Sequence, residues 1–274
     1  MQAQMKPKQQ QKVFRKALVV PAEHGSWSWL LVPFFVGLGV AGQLHVAALV
    51  TLTGGLSAFL MRQPATAWLR IRQGRGRRAD EGLAAGWTLS FALLATLSLV
   101  ALLALGRLVL LWLLPPLGLV LVLYLAVAQI NRAQVRSLWM ELAGAAGLAA
   151  MAPAAYAAAT GTLDQTAWFL WGLLAAQNVL GALYVRLRIA DTHGRDPNRL
   201  APLLGHLLGL LLVAGSVAAG LLPVLVLLPF LGFLARALWA VAAPRPIAGI
   251  KRFGFTEVGV EAVSGLLIML GYVI

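Results

Sequence analysis

Apolar residues occupy long blocks along the whole chain, broken by short segments in which arginine, glycine, proline and a few acids gather. Blocks of about 20 such residues match the hydrocarbon core of a bilayer, about 30 Å thick. The blocks predict nine membrane helices, over about Trp27–Ala41, Val46–Leu60, Leu83–Leu105, Leu108–Ala128, Leu138–Ala159 and Ala167–Val185, then two from the stretch 200–243, and a last one from Phe253 to the C-terminus. The stretch 200–243 is too long for one crossing, and Gly220-Leu221-Leu222-Pro223 is its natural break. Pro115-Pro116 predicts a mid-membrane kink in the fourth helix. The density of Gly and Ala in the fifth predicts a central, closely packed position. The fold class is all-α, a polytopic membrane bundle formed by one integral domain, 21–274, behind a basic tail, 1–20.

Composition adds constraints rather than a different picture. Hydrophobic residues make up 60% and charged ones 11%, which excludes an ordinary water-soluble domain. The formal charge of +13 points away from nucleic acid once its distribution is considered. With the N-terminus inside, the inner segments hold five, six, two, four and four Lys or Arg, 21 of the 22, and only Arg107 is left outside. That asymmetry predicts an N-in, C-out topology, since basic residues stay cytoplasmic. The charged N-terminus is followed by no small-residue cleavage site, so the tail is expected to be retained in the cytoplasm. There is no cysteine, which removes disulfides, thiolate catalysis and thiolate metal sites.

Polar groups at membrane depth are the candidates for chemistry. Glu257 and Glu261, at i and i+4, share a face of the last helix and point to a site or to a structural ion pair with an inner-face arginine. Glu23 and His24 stand at the mouth of the first helix and Glu141 opens the fifth, all on the predicted inner face. They are read either as the rim of a cytoplasm-facing cavity shared with Glu257 and Glu261, or as interfacial anchoring beside Trp27 and Trp29. Arg62 and Arg70, with Arg186 and Arg188 at the end of the sixth helix, are a candidate anion site, although positive-inside statistics alone would put arginines there. Gln177-Asn178, inside the sixth helix, need partners. Asp191, His193 and Asp196 are a second-loop polar group whose spacing offers no transition-metal site. No Walker loop, nucleophile elbow or dinucleotide fingerprint occurs, and no catalytic residue is assigned.

The segments PAEHGSWSWLLVPFFVG, RQP at the end of the second helix, ALYVRLR at the end of the sixth and KRFGFTEVGVE opening the last resemble the YwiC-like family of bacterial membrane proteins. The resemblance implies a multi-pass protein of the bacterial cytoplasmic membrane. Nine helices with polar loops after the second and sixth also resemble, in layout, the UbiA family of intramembrane prenyltransferases. That resemblance implies aspartate-rich loops holding Mg²⁺ and an isoprenoid diphosphate. Here the first loop carries arginines and only Asp80 nearby, while the second keeps Asp191 and Asp196. Two bridged Mg²⁺ ions would have too few oxygen ligands. No cofactor is expected, and Mg²⁺ chemistry is disfavoured.

The leading expectation is a cytoplasm-facing polar cavity that binds an amphipathic anion of the isoprenoid, quinone-type or phospholipid class, as a divergent transferase or a non-catalytic lipid-binding protein. A proton-coupled transporter using Glu261 and Gln177-Asn178, and a non-catalytic subunit or assembly factor of a respiratory complex, are the alternatives. No protein partner is identified by the sequence.

Overall fold

The computed structural model describes residues 15–21, 24–130 and 137–274. Among them there is no strand. After a helical turn at Lys16–Val19 the helices are α1 (His24–Ala41), α2 (Val46–Arg72), α3 (Glu81–Ala104), α4 (Leu114–Ile130), α5 (Leu138–Leu148), α6 (Met151–Thr160), α7 (Gln165–Thr192), α8 (Leu200–Ala218), α9 (Leu227–Ala242) and α10 (Ile250–Val273). With α5 and α6 stacked as one crossing, eight segments of 19 to 28 residues are long and apolar enough to span a bilayer, and α1 adds a shorter apolar helix. The protein is a multi-pass integral membrane protein built as a helical bundle.

Prolines account for several boundaries that differ from the predicted ones. Pro115 and Pro116 sit in the first turn of α4, where missing N–H groups cost least. The preceding residues, Leu108–Leu113, form a 3₁₀ turn, so the expected mid-membrane kink is instead a junction between two helix types. Pro153 has no N–H for the Ala149 carbonyl; Ala152 N–H takes it at 3.0 Å, and the fifth crossing divides into α5 and α6 there. Conversely, α2 and α7 run on through their arginines to Arg72 and Thr192, past the predicted ends at Leu60 and Val185. Arg62, Arg70, Arg186, Arg188 and Asp191 are therefore helical residues rather than loop residues.

Packing gathers the helices into two lobes that share α1 and the α5–α6 crossing. In one lobe α2 lies along α3 and also meets α4 and α6. In the other, α7 touches α5, α6, α8, α9 and α10, while α8 lies along α9. Leu30 and Phe34 of α1 join the apolar core of the first lobe, and Val36 joins that of the second. The α5–α6 crossing is the most buried span, lined by alanines such as Ala152, Ala155 and Ala158 with no exposed surface.

One end of the bundle is tied by arginines. Arg15 pairs with Asp80 at 2.5 Å, Arg75 donates to the Gln129 carbonyl at 2.8 Å, and Arg188 donates to the Arg245 carbonyl at 3.2 Å. At the far end Arg107 donates to the carbonyls of Ala158 and Ala159, which end α6, and Gly161 turns the chain there with φ +83°.

Close approach at the lobe junction depends on Gly37 of α1. A Cβ there would stand 2.1 Å from the Ala152 carbonyl oxygen, so α1 and α6 could not keep their spacing. Gly172 of α7, by contrast, has open space around it. Gly37→Ala is expected to destabilise the protein by about 1–3 kcal/mol, seen as a lower melting temperature in detergent. Gly172→Ala should melt at or above the wild type, because Ala is favoured over Gly in a helix by up to about 1 kcal/mol. Equal melting of the two variants would contradict the close-packed junction.

Candidate functional site

The first lobe holds a partly open cavity of about 540 Å³. Its wall on α2 runs from Thr51 to Arg62 and on α4 from Leu114 to Tyr124, about 15 Å along each axis at 1.5 Å per residue. Leucines, glycines and alanines from α3, α4, α5 and α6 complete it, so the lining is almost wholly apolar. The helices that close it on the outside, α3 and α4, pack on α2 and α5 rather than along each other. Arg62 is the one charged residue on the wall and stands towards the basic end. Its guanidinium lies 4.8 Å from the Phe59 ring centre and 5.5 Å from that of Tyr124, and it donates to the Ser26 hydroxyl at 3.4 Å. Thr51 places a hydroxyl at the other end; it is buried and has no hydrogen-bond partner among the described residues. A chamber shaped like this accepts a hydrocarbon chain along its length and an anionic group at one end.

The second lobe has its polar groups packed inside protein. Pro33 of α1 cannot donate to the carbonyl of Trp29, and Asn178 of α7 supplies the missing donor at 3.1 Å. The same Asn178 nitrogen donates to the Ala145 carbonyl of α5 at 3.0 Å. Gln177 donates to the Glu261 carbonyl of α10 at 3.2 Å, and the Trp29 indole N–H donates to Glu261 Oε1 at 2.7 Å. The buried amides expected to need partners thus find them on three neighbouring helices. Trp29, read from sequence as a belt residue, instead reaches a carboxylate inside the bundle.

Nearer the basic end, Glu257 of α10 pairs with Arg236 of α9 at 2.5 Å, and the Arg236 guanidinium stacks 4.1 Å from the Tyr184 ring centre. This is the structural ion pair that formed one reading of Glu257. Arg236, which the charge pattern assigns to the last inner segment, lies inside α9. The signal was available, since a lone arginine in LLPFLGFLARALWAVA is a polar group at membrane depth.

The remaining candidates are distributed over the basic end. Glu141 pairs with Arg186 at 3.1 Å where α5 meets α7, and Arg188 is held by the Arg245 carbonyl. Arg70 lies two turns beyond Arg62 on α2 and lines neither this cavity nor the smaller one described next. Asp191 is bonded by both Nη groups of Arg199, at 2.6 and 3.4 Å. Asp196 lines a cavity of about 290 Å³ with Arg195, Arg199 and Arg245, and the exposed His193 bonds the Ile189 carbonyl at 2.8 Å. Glu23 and the side chain of His24 lie outside the described residues. The described carboxylates line no part of the large cavity. With Asp80 and Asp191 both committed to arginines, the set does not fit a bridged Mg²⁺ site. Among the described residues no three His, Asp or Glu stand together as metal ligands.

Arg236→Met is expected to lower stability by about 2–4 kcal/mol, because it leaves Glu257 buried without its cation. The double variant Arg236→Met/Glu257→Leu should recover most of that loss in a thermal or denaturant titration. A double variant as unstable as the single one would show that the pair matters through packing alone.

No curated protein and no solved structure matches the chain, so the UbiA-like layout stays an expectation. A family model described as YwiC-like protein matches residues 20–156, half of the chain. The matched stretch runs from the start of α1 to the middle of α6 and contains every residue that lines the large cavity. The segments at 182–188 and 251–261 lie beyond it. The protein belongs to the YwiC-like family of membrane proteins.

Proposed function

We propose that the protein binds an amphipathic anion of the isoprenoid, quinone-type or phospholipid class in the cavity of its first lobe. The hydrocarbon lies between α2, α3 and α4, and the polar head meets Arg62. The observation that carries this reading is a single charged residue at one end of an apolar chamber of about 540 Å³. That volume lies within the roughly 300–1,000 Å³ of ordinary ligand cavities. Water gains little from walls with so few polar groups, whereas a lipid tail is at home there. Because α3 and α4 do not pack along each other, the ligand enters sideways from the bilayer. The basic end faces the cytoplasm under the positive-inside rule, so the head group is presented to that side. The polar network of the second lobe holds α1 and α5 in place as the back wall.

Gly118 and Gly144 line the cavity with open space where a side chain would grow. Native mass spectrometry of the detergent-purified protein, with extraction of bound lipid, should recover one stoichiometric amphipathic molecule from the wild type. Gly118→Phe and Gly144→Phe should lose it while melting normally. Arg62→Gln should weaken binding about tenfold or more, the worth of a charge-assisted hydrogen bond. Recovery of the same bulk phospholipid mixture from the wild type and both filled variants would contradict the proposal.

A further inference from the structure

We propose that Glu261, Gln177 and Asn178 form a binding site for Na⁺ where α1, α7 and α10 meet. The orientation of both amides is fixed by their partners. Gln177 faces the Glu261 carbonyl, and Asn178 faces the carbonyls of Trp29 and Ala145. Carbonyl oxygens only accept, so the amide nitrogens must point at them and the amide oxygens must point away. Gln177 Oε1 and Asn178 Oδ1 consequently have no donor, and neither has Glu261 Oε2, among the described residues. All three residues are buried, with 1%, 0% and 6% of their surface exposed.

The three residues belong to one connected set of contacts. The indole of Trp29 bonds Glu261 Oε1, and Asn178 bonds the backbone of that same Trp29. Gln177 bonds the backbone of Glu261, and one turn further along α7, at Gly181, a Cβ would come within 3.5 Å of Glu261 Oε1. The carboxyl therefore lies against the α7 face that carries Gln177. Ser28 of α1 stands beside the carboxyl, its hydroxyl shared between Glu261 and the Gly25 carbonyl, the latter at 2.8 Å.

The charges nearby are already committed. From α9, Arg236 is bonded to Glu257. From α7, Arg188 is eleven residues beyond Gln177, about 16 Å further along the axis, and donates to the Arg245 carbonyl. From α8, the buried His206 is bonded through Nδ1 to the Pro202 carbonyl. Glu261 thus carries its carboxyl at membrane depth with two neutral donors, the Trp29 indole and the Ser28 hydroxyl, and a charge held there without a bonded cation is costly. A cation removes that cost and gives all three oxygens a partner. Hard oxygen ligands with a single negative charge suit a small monovalent ion, and sites of this kind arise where helix carbonyls and side-chain oxygens meet near the bilayer midplane. This site is separate from the lipid cavity, and its test does not depend on lipid binding.

The experiment is the melting temperature of the purified protein, titrated with NaCl against choline chloride at constant ionic strength and at several pH values. The wild type should gain roughly 3–6 °C, saturably, from Na⁺, with the gain shrinking as pH falls because protons compete for Glu261. Glu261→Gln should lose the Na⁺ response, and Glu141→Gln, at a surface ion pair, should keep it. Gln177→Leu retains the carboxylate and should shift the Na⁺ midpoint about tenfold or more upward, which keeps the test informative if Glu261→Gln does not fold. A melting temperature that follows pH but not Na⁺ would mean that Glu261 is simply a protonated acid, and would overturn the proposal. So would equal responses to Na⁺ and choline.

Discussion

The carbonyl of Trp29 is the group on which the arrangement of this bundle turns. Pro33, one helical turn further along α1, has no N–H to give it, and an unsatisfied carbonyl inside a membrane protein costs several kcal/mol. Asn178 meets the need from α7 and reaches Ala145 of α5 with the same nitrogen. One side chain therefore fixes three helices relative to one another. The same rule recurs at the Ala149 carbonyl freed by Pro153, and at the end of α6, where Arg107 covers two carbonyls. In a medium without water, helix ends and proline sites decide which neighbour a helix must have.

That constraint separates the two lobes by chemistry. With α1 and the α5–α6 crossing held by polar contacts on their second-lobe side, their other faces are free to form the smooth apolar back wall of the cavity. The second lobe carries the embedded ionisable groups Arg236, Glu257, Glu261 and His206, and the first carries only Arg62 on its cavity wall. The YwiC-like match covers the first lobe, α1 and most of the α5–α6 crossing, and with them the whole lining of the cavity.

The apolar helices were legible because bilayer thickness sets the length of each apolar run, and eight of the nine expected segments are long enough to cross. The helix ends at the basic side were not, since hydropathy falls at Arg62 and Arg186 while the helices run on to Arg72, about three turns further, and to Thr192, nearly two. Long arginine side chains reach the surface from within a helix, and a hydropathy pattern does not register that. Gln177-Asn178 and the Glu257/Glu261 face announced themselves as polar groups in apolar blocks. Arg236 does so as well, but the positive-inside pattern accounts for it equally as a loop residue. The cavity left no mark in the pattern, because a void arises from how α3 and α4 lean on their neighbours and not from any one segment's composition.

The central claim, that a proline-freed carbonyl on α1 is what Asn178 satisfies, is tested by a double-mutant cycle. Asn178→Ala should cost about 1–2 kcal/mol in the wild type. With Pro33→Ala the residue at 33 regains an N–H for the Trp29 carbonyl, and Asn178→Ala should then cost about half as much, measured by unfolding in micelles or bicelles. An unchanged cost in the two backgrounds would mean that Asn178 and Pro33 act independently, and would contradict this account.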